Sequence, residues 1–382
     1  MKILLAPDSF KGTMTSMEII SFLEEAATLH FDPLEIVKLP LADGGEGTVD
    51  TLLFIKGGKY EWAEVTGPLG EKVKAKYGII EDKTAVIEMA QASGLPLIDR
   101  KDRNPLLTTT YGTGELIKDA IEKGIRNFII GIGGSATNDG GIGALQALGV
   151  KFLDEKGNEI GFGGKELGKI KHIELENIDR RIKESNFIVM CDVDNPLTGD
   201  RGASFVFGPQ KGATKEMLEI LENGMRNYAE VIQNELGINV NEIPGAGAAG
   251  GLGAALHCFL GAQLKPGIDT ILDFANFDEM LKGVDFVVTG EGKMDKQSIF
   301  GKAPSGIAKR CRKYGTKAVA IVGSMGEGAE EIYKYGIESI MPTVNKEMSL
   351  DEALSRAKEL LAGAADRMFR FIKAGMEIKS NN

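Results

Sequence analysis

The chain has 382 residues, 43% hydrophobic and 26% charged, the proportions of an ordinary soluble protein with room for two or three domains. Its 55 acidic residues outnumber 45 basic ones, leaving a formal charge of −10, which argues against nucleic acid or an anionic membrane as a partner. Fifty glycines, against about 27 at average usage, gather in loops without a repeat, excluding collagen and low complexity. Three distant cysteines, Cys191, Cys258 and Cys311, show no CxxC spacing and fit reduced, buried thiols in the cytoplasm. The scattered His30, His172 and His257 offer neither a metal cluster nor a Ser/His/Asp arrangement. The first apolar run stops at Pro7 and Asp8, too early for a signal peptide. Residues 243–264 are uncharged but mostly glycine and alanine, which reads as a packed loop and buried helix rather than a membrane span.

In chain order, KILLA (2–6) predicts a buried strand. A helix follows over 16–29, capped by Thr15 or Ser16, with Met17, Ile20, Leu23 and Ala27 on its apolar face. A second strand (35–42), a glycine turn (42–48) and a helix start (47–55) complete βαβα order, that of a parallel sheet covered by helices. Residues 59–89 change character. Short alternating runs broken at Gly67-Pro68, Gly70 and Glu81-Asp82 predict antiparallel strands and a new domain. Next come a helix (113–123), a strand (126–132), a helix (139–148) ended by Gly149, a hairpin (150–161), a strand (186–191) and a long helix (215–236). The βα alternation resumes with strands at 284–289, 317–322 and 337–344 and a last helix capped by Ser349. These elements predict one α/β domain from both chain ends (1–58 and 270–382) and a mixed α/β domain inserted at 59–269.

Several turns at strand ends put glycine beside carboxylate. Glycine lets backbone N–H groups approach a ligand. Carboxylates repel bare phosphate but welcome a cation that bridges to it. The loop 131–141 contains G-x-G-x-x-A between strand and helix, and Asp154 lies near the spacing of a dinucleotide fingerprint. Asp139 stands against that reading, because it would repel a pyrophosphate at the helix start. A metal between the two reverses the sign; a helix cap is its other open role. No G-x-x-x-x-G-K-[ST] and no His-Arg-Asp occurs. PGAGAAGGLG (244–253) suits close packing as well as ligand approach. TGEGKMD (289–295) is expected as a glycine turn in which Glu291 and Asp295 flank Lys293, suited to holding magnesium and neutralising phosphate. APDSFKG (6–12) and ADGGEG (42–47) should leave the same sheet edge, gathering Asp8, Lys11, Asp43 and Glu46 with Glu291, Lys293 and Asp295. Lys211 is expected to project from the uncharged turn FGPQKGAT.

Together PDSFKG, LADGGEGT, IGGSATNDGGIGALQALG, CDVDNPLTGDRGASFVFGPQKGA, PGAGAAGGLGAAL and TGEGKMDKQSIFGKAPSGIA resemble the bacterial glycerate kinase family, of the glycerate 2-kinase type. The resemblance runs from about residue 2 to 375, with motifs in the family's order; Lys293 stands where arginine is also expected. It implies ATP- and Mg2+-dependent phosphorylation of D-glycerate, most often to 2-phosphoglycerate rather than 3-phosphoglycerate. It further implies two α/β domains, one flavodoxin-like and built from both chain ends, with the active site in the cleft between them.

On this reading a carboxylate accepts the hydroxyl proton, Asp192 being the first candidate and Asp8 and Asp295 its rivals. Lys11 and Lys293 bind phosphate or the substrate carboxylate. Asp139, Glu291 and Asp295 are the candidate magnesium partners. Ser9, Asp43, Gly133, Gly134, Ser135, Thr137, Asn138, Lys211, Gly290 and Gly292 are candidate substrate or nucleotide contacts. The alternatives are a nicotinamide-dependent oxidoreductase of a small hydroxy acid, resting on 131–136 and Asp154, and a non-catalytic ligand-binding cleft protein. The oligomeric state is left open.

Overall fold

A computed structural model describes residues 1–299 and 301–380. In chain order its strands are β1 (Lys2–Pro7), β2 (Glu35–Lys38), β3 (Lys59–Thr66), β4 (Lys72–Ile80), β5 (Thr84–Glu88), β6 (Asn127–Gly131) and β7 (Lys151–Leu153). They continue with β8 (His172–Glu174), β9 (Asn186–Met190), β10 (Gln263–Lys265), β11 (Phe286–Met294), β12 (Lys317–Met325) and β13 (Ile337–Pro342). Two compact units result: residues 1–43 with those from Gly267 onward, and Gly44–Pro266. Helix Thr48–Lys56 packs on β4 and β5, and Glu88 accepts the Val49 amide at 2.9 Å. The first boundary therefore falls after 43 rather than 58.

The terminal unit is a five-stranded sheet of order β13-β12-β11-β1-β2, parallel throughout. That is the flavodoxin-like strand order. Strand β1 is apolar and buried along nearly its whole length, as a parallel strand covered on both faces must be. Helix Ser16–Thr28 starts at Thr15, whose side chain and that of Glu18 form a reciprocal capping box. Its Ile19, Ile20, Leu23 and Ala27 pack with Leu361, Ala365, Met368 and Phe369 of helix Ala357–Ser380. Each fully buried large aliphatic side chain there contributes roughly 1.5–3 kcal/mol. The glycine segment TGEGKMD, expected as a turn, is largely strand instead. Strands β11 and β12 pair in register as far as Met294 and Met325, so Glu291 and Lys293 both lie within a strand and the turn begins at Asp295.

The inserted unit is a mixed sheet of order β10-β9-β6-β5-β4-β3. Its antiparallel part is β3-β4-β5, and β5-β6-β9-β10 is parallel. The hairpin expected at 150–161 is reduced to one bridge, Leu153 with Glu159; β7 pairs with β8. The helix expected at 139–148 is only Ile142–Ala147, because Gly140 and Gly141 have positive φ. Helix Lys215–Leu236 is capped by Thr214 and ended by left-handed Gly237. Cys311 is buried, and Cys191 and Cys258 are partly so. No helix among the described residues is long and apolar enough to cross a membrane.

Packing accounts for PGAGAAGGLG. The segment Ala248–Leu260 is interrupted by left-handed residues 249–251. A Cβ on Gly250 (φ +69°) would lie 2.1 Å from the Thr137 carbonyl oxygen, and one on Gly247 2.1 Å from that of Pro196. Backbone therefore meets backbone where any side chain would intrude. We expect Gly250→Ala to destabilise the protein by roughly 2–4 kcal/mol, combining the left-handed penalty with the clash. The urea midpoint measures it; an unchanged midpoint would show that the 137–141 loop moves aside freely.

Candidate active site

The C-terminal edge of the terminal sheet gathers charge. Asp8 directly follows β1, and its amide donates to the Gly290 carbonyl at 2.9 Å, continuing the pairing with β11. The Ser9 amide donates to Asp8 Oδ1 at 2.6 Å. Asp8 is only 8% exposed. Burial, then the nearby charge of Asp43 and a smaller effect of Glu291, push its pKa up to about 7 against the Ser9 amide and Lys11. Lys11 and Asp43 form an ion pair. Glu46, expected on this edge, is exposed in the inserted unit.

Glu291, on β11, is 7% exposed. Among the described residues its Oε1 has no hydrogen-bond partner, its Oε2 lies 3.6 Å from Lys302 Nζ, and burial raises its pKa against the opposing effects of Ser298 and Lys302. Asp295 behaves oppositely: burial pushes its pKa up, but the Gln297 amide, Lys293 and Lys302 outweigh it and hold the carboxyl below its usual value. Lys293 Nζ lies 3.4 Å from Asp295 Oδ2. Gly290 serves the strand: a Cβ there would stand 2.1 Å from the Ile321 carbonyl oxygen. At Gly292 a Cβ would make only ordinary contact with Phe10.

An unpartnered, buried carboxylate oxygen costs free energy that a cation would recover. Yet among the described residues no three His, Cys, Asp or Glu side chains converge on one metal position. A divalent ion at this edge would therefore have to be held by one or two carboxylates and complete its shell with water and phosphate oxygens.

In the inserted unit the loop after β6 is built by close backbone approach. A Cβ on Gly131 would lie 2.4 Å from the Gly44 carbonyl oxygen, and one on Gly133 2.8 Å from Gly45 Cα. The Gly133 amide donates to the Gly44 carbonyl at 3.1 Å. Gly134 takes a positive φ, and its carbonyl accepts the Leu95 amide. Lys211, expected to project, is instead buried. Its Nζ lies 2.8 Å from Ser135 Oγ and donates to the Thr137 carbonyl at 2.6 Å. Burial pulls its pKa down to about 7, with Asp139 offsetting part. Thr137 and Asn138 are fully buried; among the described residues Thr137 Oγ1 and Asn138 Oδ1 lack partners, while Asn138 Nδ2 donates to Ser204 Oγ at 3.1 Å.

Asp139 is fully buried and clasped by its own surroundings. Oδ2 accepts from the Thr110 amide and hydroxyl, both at 2.8 Å, and Oδ1 from the Gly141 amide at 3.1 Å. Burial raises its pKa and these donors oppose the rise. These donors engage both oxygens of Asp139 within its own surroundings and shape the loop. The dinucleotide reading fails on the same geometry: Gly131 and Gly133 serve packing, the helix that follows has six residues, and Asp154 accepts the Lys156 and Asn158 amides of its own turn.

Asp192 is half-buried just beyond the end of β9. Its loop is anchored by residues that the sequence did not single out. Glu222, buried on helix Lys215–Leu236, accepts the Gly199 amide at 2.7 Å and Arg226 Nε at 2.8 Å. Asn241 Oδ1 accepts from the Thr198 amide and hydroxyl. The one signal was a glutamate on the apolar face of an amphipathic helix. Thr110 had an equally faint one, the run Thr108-Thr109-Thr110, all buried.

A profile of the glycerate kinase family matches residues 3–373. The chain is 48% identical to a glycerate kinase of Halalkalibacterium halodurans over 95% of this chain and 96% of that one. It is 47% identical to a glycerate 2-kinase of Escherichia coli over 98% and 99%. A crystal structure of a putative glycerate kinase 2 from Salmonella typhimurium LT2 superposes with a TM-score of 0.86 at 42% identity, covering 99% of both chains.

Asp8 yields a stability prediction for the ligand-free protein. With its folded pKa raised to about 7, the native state keeps a proton that the unfolded chain releases. Its cost to stability grows as pH rises from the ordinary carboxylate range through 7 and is complete above it. Asp8→Asn should therefore gain about 1–3 kcal/mol over wild type at pH 8 relative to pH 4.5. Thermal unfolding at both values checks this; an equal effect at both would mean that Asp8 is ionised throughout.

Proposed function

The chain belongs to the glycerate kinase family, and from that premise we propose that it moves the γ-phosphoryl group of ATP to D-glycerate, giving 2-phosphoglycerate. The observation that carries the mechanism is Asp8, a buried strand-end carboxylate poised near neutrality. A general base works best with a pKa near the operating pH. Asp8 accepts the proton of the glycerate hydroxyl as the new O–P bond forms and the bond to the ADP oxygen breaks. Asp192, half-buried on an anchored loop, is assigned to holding the substrate.

Magnesium, when bound, would neutralise charge between the nucleotide phosphates. Glu291, one oxygen of which has no partner among the described residues, and Asp295 would hold it directly or through water. Lys11 and Lys293 keep exposed side chains that suit phosphate or the substrate carboxylate. Little covalent work falls to the protein, since phosphoryl transfer depends mainly on alignment and charge neutralisation.

The test is ADP release with D-glycerate, Mg2+ and ATP, with phosphorus NMR of the product. Release of ADP with 2-phosphoglycerate is expected. Binding without turnover would favour a ligand-binding protein, and 3-phosphoglycerate would correct the regiochemistry. Asp8→Asn should lower kcat about 10²–10⁴-fold with the fold intact, and Asp192→Asn should act mainly on the KM for glycerate. The reverse pattern would move the base to Asp192.

A further inference from the structure

We propose that Lys211 is a positioning residue acting through Ser135: its amine fixes the Ser135 hydroxyl so that the serine proton is offered to an anionic oxygen of the bound ligand, a carboxylate or a phosphate. This rests on the reading that the 133–139 loop receives one of the two substrates. A carbonyl can only accept, so Lys211 Nζ donates to the Thr137 oxygen at 2.6 Å. As an ammonium it has further donors, and Ser135 Oγ lies 2.8 Å away. A hydroxyl has one proton and two lone pairs. With one lone pair engaged by Lys211, the serine proton must point elsewhere, and no second hydrogen bond from Ser135 Oγ is made among the described residues.

Lys211 is 1% exposed, and Thr137 and Asn138 are sealed, but Ser135 keeps 7%. Ser135 is thus the most accessible side chain of this group, and the one offered to a ligand in this proposal. The buried charge of Lys211 is also poorly compensated. Among the described residues no carboxylate forms an ion pair with Lys211, and the one that influences it, Asp139, is engaged by Thr110 and Gly141. An anion on Ser135 would supply what the fold withholds. Thr137 Oγ1, buried without a partner among the described residues, is a second unspent polar group in the same loop.

A double-mutant cycle decides the matter. Ser135→Ala, Lys211→Met and the double variant are compared for kcat and for the KM of glycerate and of ATP separately, with thermal unfolding as the folding control. Each single change should raise the KM of the same substrate, by about tenfold, and Lys211→Met should add nothing once Ser135 is alanine. An effect on glycerate identifies a carboxylate as the ligand group; an effect on ATP identifies a phosphate. Ser135→Thr, which keeps a hydroxyl, should restore most of the loss. Effects that multiply, or a Lys211 effect on kcat alone with neither KM altered, would overturn the proposal. Should Lys211→Met fail to fold, Lys211→Gln takes its place in the cycle. If the wild-type enzyme does not phosphorylate glycerate, the functional reading fails by itself. Calorimetric binding of glycerate, ATP and inorganic phosphate to the same variants then tests the serine–lysine coupling, and equal affinities in wild type and Ser135→Ala would refute it.

Discussion

The carboxylate edge of the terminal unit depends on one strand pairing. Pro7 of β1 lies opposite Gly290 of β11, and the next amide, that of Asp8, donates to the Gly290 carbonyl. This register brings residues from opposite ends of the chain, Asp8 and Glu291, under each other's influence. A slip by one residue would turn the side chains of β1 to the other face of the sheet and disperse the cluster. The register is defended by apolar burial on both sides of β1, with Ile3, Leu4 and Leu5 wholly enclosed. Hydrophobic packing thus places groups that, taken alone, oppose folding.

The inserted unit solves a different problem with a different material. Its polar groups are locked in a loop rather than ranged along an edge, and glycine makes the lock possible. Gly131, Gly133, Gly247 and Gly250 each stand where a Cβ would strike backbone. The segments 42–47, 131–141 and 244–253 are rich in glycine because the chain passes close to itself there. Asp139 and Lys211 are then buried within hydrogen-bonded loops at a cost in desolvation, which the packing of the surrounding core offsets. Such investment is characteristic of sites whose geometry must not drift.

The sequence made much of this legible. Strand β1, the capped helix after it, the antiparallel start of the inserted unit and the long helix with its threonine cap and terminal glycine all follow local rules of periodicity and capping. The clustering of Asp8, Lys11 and Asp43 with Glu291 followed from parallel topology. Illegible parts depended on partners distant in sequence. Glycine and charge in TGEGKMD look like a turn, but β12 holds that segment extended. Lys211 looked like a surface lysine because nothing local shows that Ser135 and Thr137 close over it. Nothing local to Asp139 shows that the Thr110 amide and hydroxyl donate to it. Glu222 could be recognised only with Gly199 in view.

Assembly of the flavodoxin-like sheet from both chain ends bears on biosynthesis. Strands β1 and β2 emerge first from the ribosome, yet β11, which separates β1 from β12 in the sheet, is translated only after the whole inserted unit. At translation rates of about 5–20 residues per second, the nascent N-terminal segment waits on the order of ten seconds or more for its partner, carrying an apolar strand with one edge open. The inserted unit can meanwhile complete its own sheet. Temporary protection of the first forty or so residues, whether by chaperones or by the ribosome surface, is thus a demand written into this topology.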